Sequence, residues 1–147
     1  MKTKNFARAG ALAVISCAAL ATLTSPAPAF AAATAAVPAR FASCDNQDPG
    51  GNTDAQTVRT ATAGSASVEL RYSPSAQCGW GRVFGKLGTS VWVDRSTDGG
   101  ATWQGKLGEA TITSGTDAHT PEFDDHGVLV RACADDHNGN IHCTGWY

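Results

Sequence analysis

The sequence predicts an all-β protein: a small disulfide-tied sandwich or barrel behind a cleaved N-terminal signal peptide. Three observations predict it. Past residue 44, Gly, Asp, Asn, Ser and Thr recur about every eight to twelve residues between short apolar runs, the rhythm of strands joined by tight turns. No stretch there carries a convincing helical period. Four cysteines fall in the same part, and an even number in an exported chain reads as two disulfides.

The leader comes first in the chain. Lys2, Lys4 and Arg8 form a basic start, ALAVISCAALATL an apolar run from Ala11 to Leu23, and SPAPAFAAA a small-residue stretch, which is the layout of a secretory signal. The apolar run has 13 residues, against roughly 20 needed to cross a bilayer. Ala29 and Ala31 suit the positions before a cut, with A-P-A and A-A-A beside them in competition, so residues 1–31 are assigned to the signal peptide. Residues 32–43, AATAAVPARFAS, are Ala-rich and aperiodic and read as a flexible arm. Residues 44–147 read as a single secreted β domain.

Removing residues 1–31 leaves 116, enough for one small core. The leader takes three of the 11 basic residues and none of the 13 acidic ones, so eight face 13 and the formal charge becomes −5. A mildly acidic chain without a Lys/Arg cluster argues against nucleic acid or an anionic membrane as partner. A monomer that needs no cofactor and no metal is expected.

Strands follow in order. SVELRY, from Ser67 to Tyr72, alternates strictly, with Val68, Leu70 and Tyr72 on one face. QCGWGRVF, Gln77 to Phe84, is a second strand, and Gly79 and Gly81 signal a bend or a close backbone approach. SVWVDR, Ser90 to Arg95, is a third; an Asp-Gly-Gly turn at Asp98, Gly99 and Gly100 closes it and Ala101-Thr102-Trp103 returns it. GVLVRACA, Gly127 to Ala134, and IHCTGW, Ile141 to Trp146, flank DDHNGN, a hairpin signal.

That hairpin bears on the cysteines. A three-residue loop His137-Asn138-Gly139, with Gly139 at positive φ, places Asp136 opposite Asn140 and Cys133 opposite Cys143. A two-residue Asn-Gly turn would oppose Cys133 to Thr144 instead. The first register is preferred, because opposed strand residues lie within disulfide range. It pairs Cys133 with Cys143 and leaves Cys44 for Cys78. Zinc is the competing use, but no two of the four have the C-x₂₋₄-C spacing.

The stretch Ser96 to Trp103, STDGGATW, fits S-x-D-x-G-x-T-W and resembles the Asp-box hairpin of sialidases and other β-propeller proteins. The resemblance implies a structural hairpin in which Asp98 caps the turn, a glycine supplies the tight backbone and Trp103 packs beneath. One copy in 116 residues does not make a propeller. A wider stretch, Cys44 to Val83, with CDNQDPGGNTDAQTV followed by VELRYS, Cys78, Trp80 and Arg82, resembles the YjfA-type secreted domain of unknown function common in actinobacteria. This chain departs from that pattern in the spacing after Cys78 and in lacking a cysteine between Pro49 and Asp54. The resemblance implies export and a disulfide-tied β domain, and no reaction.

Catalytic signals are missing. His119, His126, His137 and His142 lie near the end of the chain, but no G-x-S-x-G and no H-E-x-x-H occurs. Glu69 and Arg71, two apart on a strand, share one face and read as a salt bridge. The oxygen clusters Glu122, Asp124, Asp125 and Asp135, Asp136, Asn138, Asn140 read as turns; the second starts like a calcium loop, but Gly139 is one place early and Tyr147 stands where a glutamate is required. Aromatic residues are in surplus. Trp92, opposite in parity to Val91 and Val93, is the candidate for an outward ring, with Trp103 and Trp146 as further candidate ligand-binding residues.

The expected function is non-catalytic binding of an extracellular glycan or a secreted protein. One alternative is an inhibitor of extracellular hydrolases that presents the loop Ser73-Pro74-Ser75-Ala76-Gln77 beside Cys78. Another is a small hydrolase, which needs Glu69, His119 or His126 to converge with Arg71 or Arg131.

Overall fold

The computed structural model describes residues 44–147; the assignments of signal peptide and arm lie outside the described residues. Within them the chain forms β1 (Gln56–Ala63), β2 (Ala66–Ser73), β3 (Cys78–Phe84), β4 (Ser90–Ser96), β5 (Gln104–Thr111), β6 (Asp117–His119), β7 (Phe123–Asp124), β8 (Leu129–Asp135) and β9 (Ile141–Cys143). A 3₁₀ turn at Pro49–Gly51 precedes them. Among the described residues no helix is long and apolar enough to cross a membrane.

Two antiparallel sheets result. One runs β1-β2-β3-β6, with β7 also on β3, and the other runs β5-β4-β8-β9. The all-β class and the two disulfides read from the sequence are therefore present. Alternation fixes which face each strand buries. Val68 and Leu70 of β2, Val83 of β3, Val91 and Val93 of β4, and Val130, Ala132 and Ala134 of β8 are fully buried and form the core between the sheets, closed by Phe123 and Ile112. The sheets pack tightly at β3. A Cβ on Gly81 would lie 2.8 Å from Val91 Cγ2 and 3.3 Å from the Ala132 Cβ, so a side chain there has no room.

The C-terminal hairpin takes the three-residue register. Asp136 N–H donates to the Asn140 carbonyl at 3.3 Å, Gly139 has φ 85°, and Cys133 opposes Cys143. The bridges are Cys133–Cys143 and Cys44–Cys78. Beyond β9 the chain keeps close to β8: Thr144 N–H donates to Ala132 O, and Tyr147 exchanges both backbone bonds with Val130.

Two long strands carry little sequence signal. β1, QTVRTATA, and β5, QGKLGEAT, are the edge strands of their sheets, mostly exposed and without apolar alternation. The expected return strand at Ala101-Thr102-Trp103 is still turn, and pairing with β4 starts at Gln104. β5 also bulges twice against β4, and Lys106 and Gly108 adopt positive φ there.

Candidate functional site

The hairpin between β4 and β5 is built from its own side chains. Ser96 Oγ donates to Asp98 Oδ1 at 2.8 Å and accepts from Gly100 N–H at 2.8 Å. Thr102 donates its N–H to Asp98 Oδ1 at 2.8 Å and its hydroxyl to Oδ2 at 2.6 Å. These bonds to the charged form, those from Thr102 foremost, pull the Asp98 pKa down to about 2. Gly99 and Gly100 have φ of 75° and 92°. The second glycine has a further purpose, because a Cβ on it would stand 2.7 Å from Trp146 Nε1. The turn backbone is thus the seat of the Trp146 ring.

Above this seat lies a stack. The Arg131 guanidinium carbon is 4.6 Å from the Trp103 ring centroid and 4.4 Å from that of Trp146, and the two indoles are 6.3 Å apart and tilted. Register explains the arrangement. Arg131 of β8 opposes Asp94 of β4, and both point away from the core. Arg131 Nε and Nη2 donate to Asp94 Oδ2 at 3.0 and 2.8 Å, while Oδ1 accepts from Lys106 N–H at 3.2 Å. One step along, Trp92 opposes Cys133, so the Cys133–Cys143 bridge shares this face. The Cys133 sulfur lies 3.4 Å from Asp94 Oδ2. The result is a row of aromatic, cationic and sulfur groups on the outer face of the four-stranded sheet.

Exposure along the row differs from expectation in two places. Trp92 faces outward as its parity requires, yet it is only 6% exposed. The Lys106 ammonium, carried over from the bulged edge strand, sits 4.8 Å from its ring centroid and covers it. Trp103, expected to pack beneath its hairpin, is 51% exposed, with its ring against Gly105 and Arg131. Trp146 is half-buried. The outward ring is therefore Trp103. No motif in the sequence announces Asp94, Lys106 and Arg131 on this face; alternation along β8 sets Arg131 beside Cys133 there.

The remaining candidates lie elsewhere. Glu69 and Arg71 form an ion pair at 3.8 Å on the outer face of the other sheet. Arg71 and His119 line one cleft there, whereas Arg131 belongs to the opposite face. His119 Nδ1 lies 3.1 Å from the Thr120 carbonyl, and His126 Nδ1 lies 2.6 Å from Gln77 Oε1. The loop Ser73 to Gln77 is tied back by Asp54, which accepts from Ser73 Oγ at 2.6 Å and Ser75 N–H at 2.8 Å, so only Pro74, Ser75 and Gln77 are exposed. In the DDHNGN turn, Asp136 is buried and accepts from the backbone and side-chain amides of both Asn138 and Asn140, which holds its pKa well below the usual carboxylate range. Its oxygens are spent on the turn. Asp125 is pushed the other way, to about 6, by burial and then by the charge of Asp124.

Groups of potential metal ligands arise at Cys44, Cys78 and Glu122 and at Asp94, Cys133 and Cys143. In each group the sulfur atoms belong to a disulfide and offer no thiolate.

The family described as "Protein of unknown function (DUF2690)" matches residues 42–136, and the chain belongs to that family. Neither a curated protein nor a solved structure matches the chain.

Proposed function

We propose that this member of the DUF2690 family is a secreted, non-catalytic binding domain that recognises an extracellular glycan on the Trp103 face. The observation that carries the reading is Trp103 itself, a half-exposed indole held against a guanidinium that is in turn anchored to a buried carboxylate. Sugar rings present C–H faces that stack on such a ring, and polar neighbours set their orientation. Here Arg131 supplies the polar neighbour. Little ordering remains to be done on binding, because both the ring and its support are already fixed. The leader read at residues 1–31 and the resemblance to the YjfA type support export into surroundings where polysaccharide is the abundant surface.

The test is retention of the purified exported protein on insoluble cell-wall glycan, chitin and cellulose. Retention on one of these is expected, with loss on Trp103→Ala and none on Leu87→Ala, which removes an equally exposed apolar residue elsewhere. No retention, or retention indifferent to Trp103→Ala, overturns the reading. Capture of a hydrolase from spent medium would assign the inhibitor instead, and release of soluble sugar a hydrolase.

A further inference from the structure

The turn between β8 and β9 lies at the end of β8 away from Arg131 and the Trp103 face. It holds the one Asn-Gly pair of the chain, Asn138-Gly139; the other asparagines, Asn5, Asn46, Asn52 and Asn140, precede Phe, Gln, Thr and Ile. An asparagine side chain can cyclise onto the next backbone nitrogen, and glycine after it leaves that nitrogen unshielded because it has no Cβ. Whether a folded turn permits the reaction depends on the nitrogen that attacks and on the carbonyl that is attacked.

The nitrogen is open. The backbone N–H groups of His137, Asn138 and Asn140 donate to the Asp135 and Asp136 carboxylates, at 2.9, 2.9 and 3.2 Å, whereas that of Gly139 donates to no group among the described residues. Gly139 is exposed, and a Cβ on it would meet nothing within 4 Å. The carbonyl is polarised. Asn138 Oδ1 accepts from Lys86 Nζ at 3.0 Å while Nδ2 donates to Asp136 Oδ2 at 3.2 Å, and only this orientation of the amide serves both partners. Packing delivers the lysine. Lys86 belongs to the loop between β3 and β4, where a Cβ on Gly88 would stand 2.8 Å from His137 Cγ, so that loop lies directly against the turn.

We infer that Asn138 is a modification site, at which the folded turn converts its own amide to a carboxylate while Lys86 holds the oxyanion. Gly139 N gives its proton to a solvent base and bonds to Asn138 Cγ. The carbonyl electrons move onto Oδ1, where the Lys86 ammonium stabilises them as a donor does in an oxyanion site. The oxyanion collapses, the Cγ–Nδ2 bond breaks, and Nδ2 leaves as ammonia with a proton taken from water. Water then opens the cyclic imide at either carbonyl, giving aspartate or, with the main chain rerouted through Cγ, isoaspartate. Both products alter the turn. The new carboxylate replaces the Nδ2 donor and faces the buried Asp136 carboxylate, where like charges repel. Isoaspartate also lengthens the loop whose register sets Cys133 opposite Cys143. None of this rests on the Trp103 reading.

The experiment is incubation of the folded protein in mildly alkaline buffer, with the same protein unfolded in urea beside it, followed by peptide mass spectrometry that reads amide against carboxylate at each asparagine. Asn138 is expected to convert first in the folded protein. Lys86→Met should slow that conversion by at least about threefold, a smaller loss than at a water-excluded oxyanion site. Lys86→Arg keeps a cation at Oδ1 and should restore the rate to within about twofold. Lys86 is exposed, so both variants keep the fold. Conversion in urea without conversion in the folded protein overturns the inference, as does earlier conversion at another asparagine. So does an unchanged rate in Lys86→Met, or equal slowing by Met and Arg, which would trace the effect to the loop contact and not to the charge on the oxyanion.

Discussion

Arg131 joins two kinds of attraction in one side chain, and magnitudes separate them. Each guanidinium–indole contact contributes about 0.5–1 kcal/mol when exposed and up to about 2 when desolvated. Removing one partner of a buried ion pair costs about 3–5 kcal/mol, because the other charge is left without its counter-ion. Asp94 is the buried partner here, while Arg131 keeps some contact with water. Arg131→Ala should therefore cost about 3 kcal/mol in urea unfolding, at the low end because the Lys106 amide still reaches Asp94. Arg131→Lys keeps the charge but loses the plane that stacks between two indoles, and should cost about 1–2 kcal/mol. Equal losses for the two variants would mean that the stack contributes nothing. The parity of Trp92 was legible in the sequence, but its burial was not. Its cover is Lys106, and what aims Lys106 is a bulge with φ 54° that no apolar alternation announces.

At the level of the strands, legibility tracked burial. β2, β3, β4 and β8 are central strands whose inward residues must be apolar, so each left a readable run. β1 and β5 are edges with one partner each and mostly exposed residues, and nothing in packing required them to alternate. The hairpin at Asp136 was legible for a different reason: DDHNGN signals a turn, and of its two loop lengths the three-residue one sets Cys133 opposite Cys143 within disulfide range. Glycine in β3 signalled close approach, and the structure shows what approaches. Gly81→Ala would force a methyl against Val91 and Ala132 across the two sheets. It should lower stability by about 1–3 kcal/mol, the ordinary cost of overpacking a core. Gly51→Ala, which meets nothing within 4 Å, serves as the control in the same urea titration. If the two variants unfold alike, the sheets yield at β3 and the close packing there is not tight.

For the whole molecule, the charges divide into two groups with opposite pH dependence. Asp125 has its pKa raised to about 6, by burial first and the Asp124 charge second, against an ordinary value of 3.8. The native state therefore holds that proton more tightly than the unfolded chain does. Its contribution to stability is complete below about pH 4 and is lost as pH rises through about 6. Burial raises Glu122 in the same sense. Asp98 has its pKa lowered to about 2 by Thr102 and Ser96, and Ser73 and Ser75 lower Asp54 likewise. Their contributions are present above the ordinary value of 3.8 and are lost as pH falls below it. The two limbs meet where both groups still contribute. The thermal midpoint should accordingly peak near pH 4 to 5 and decline toward neutrality, unlike the usual maximum at about pH 5 to 8. Asp125→Asn removes the titration on the upper limb and should flatten the decline between about pH 4 and 7 without changing the acid limb. Melting curves across that range decide the matter. A midpoint that keeps rising to pH 7 in the unaltered protein would show that Asp125 ionises without cost, and that water reaches it more freely than its packing implies.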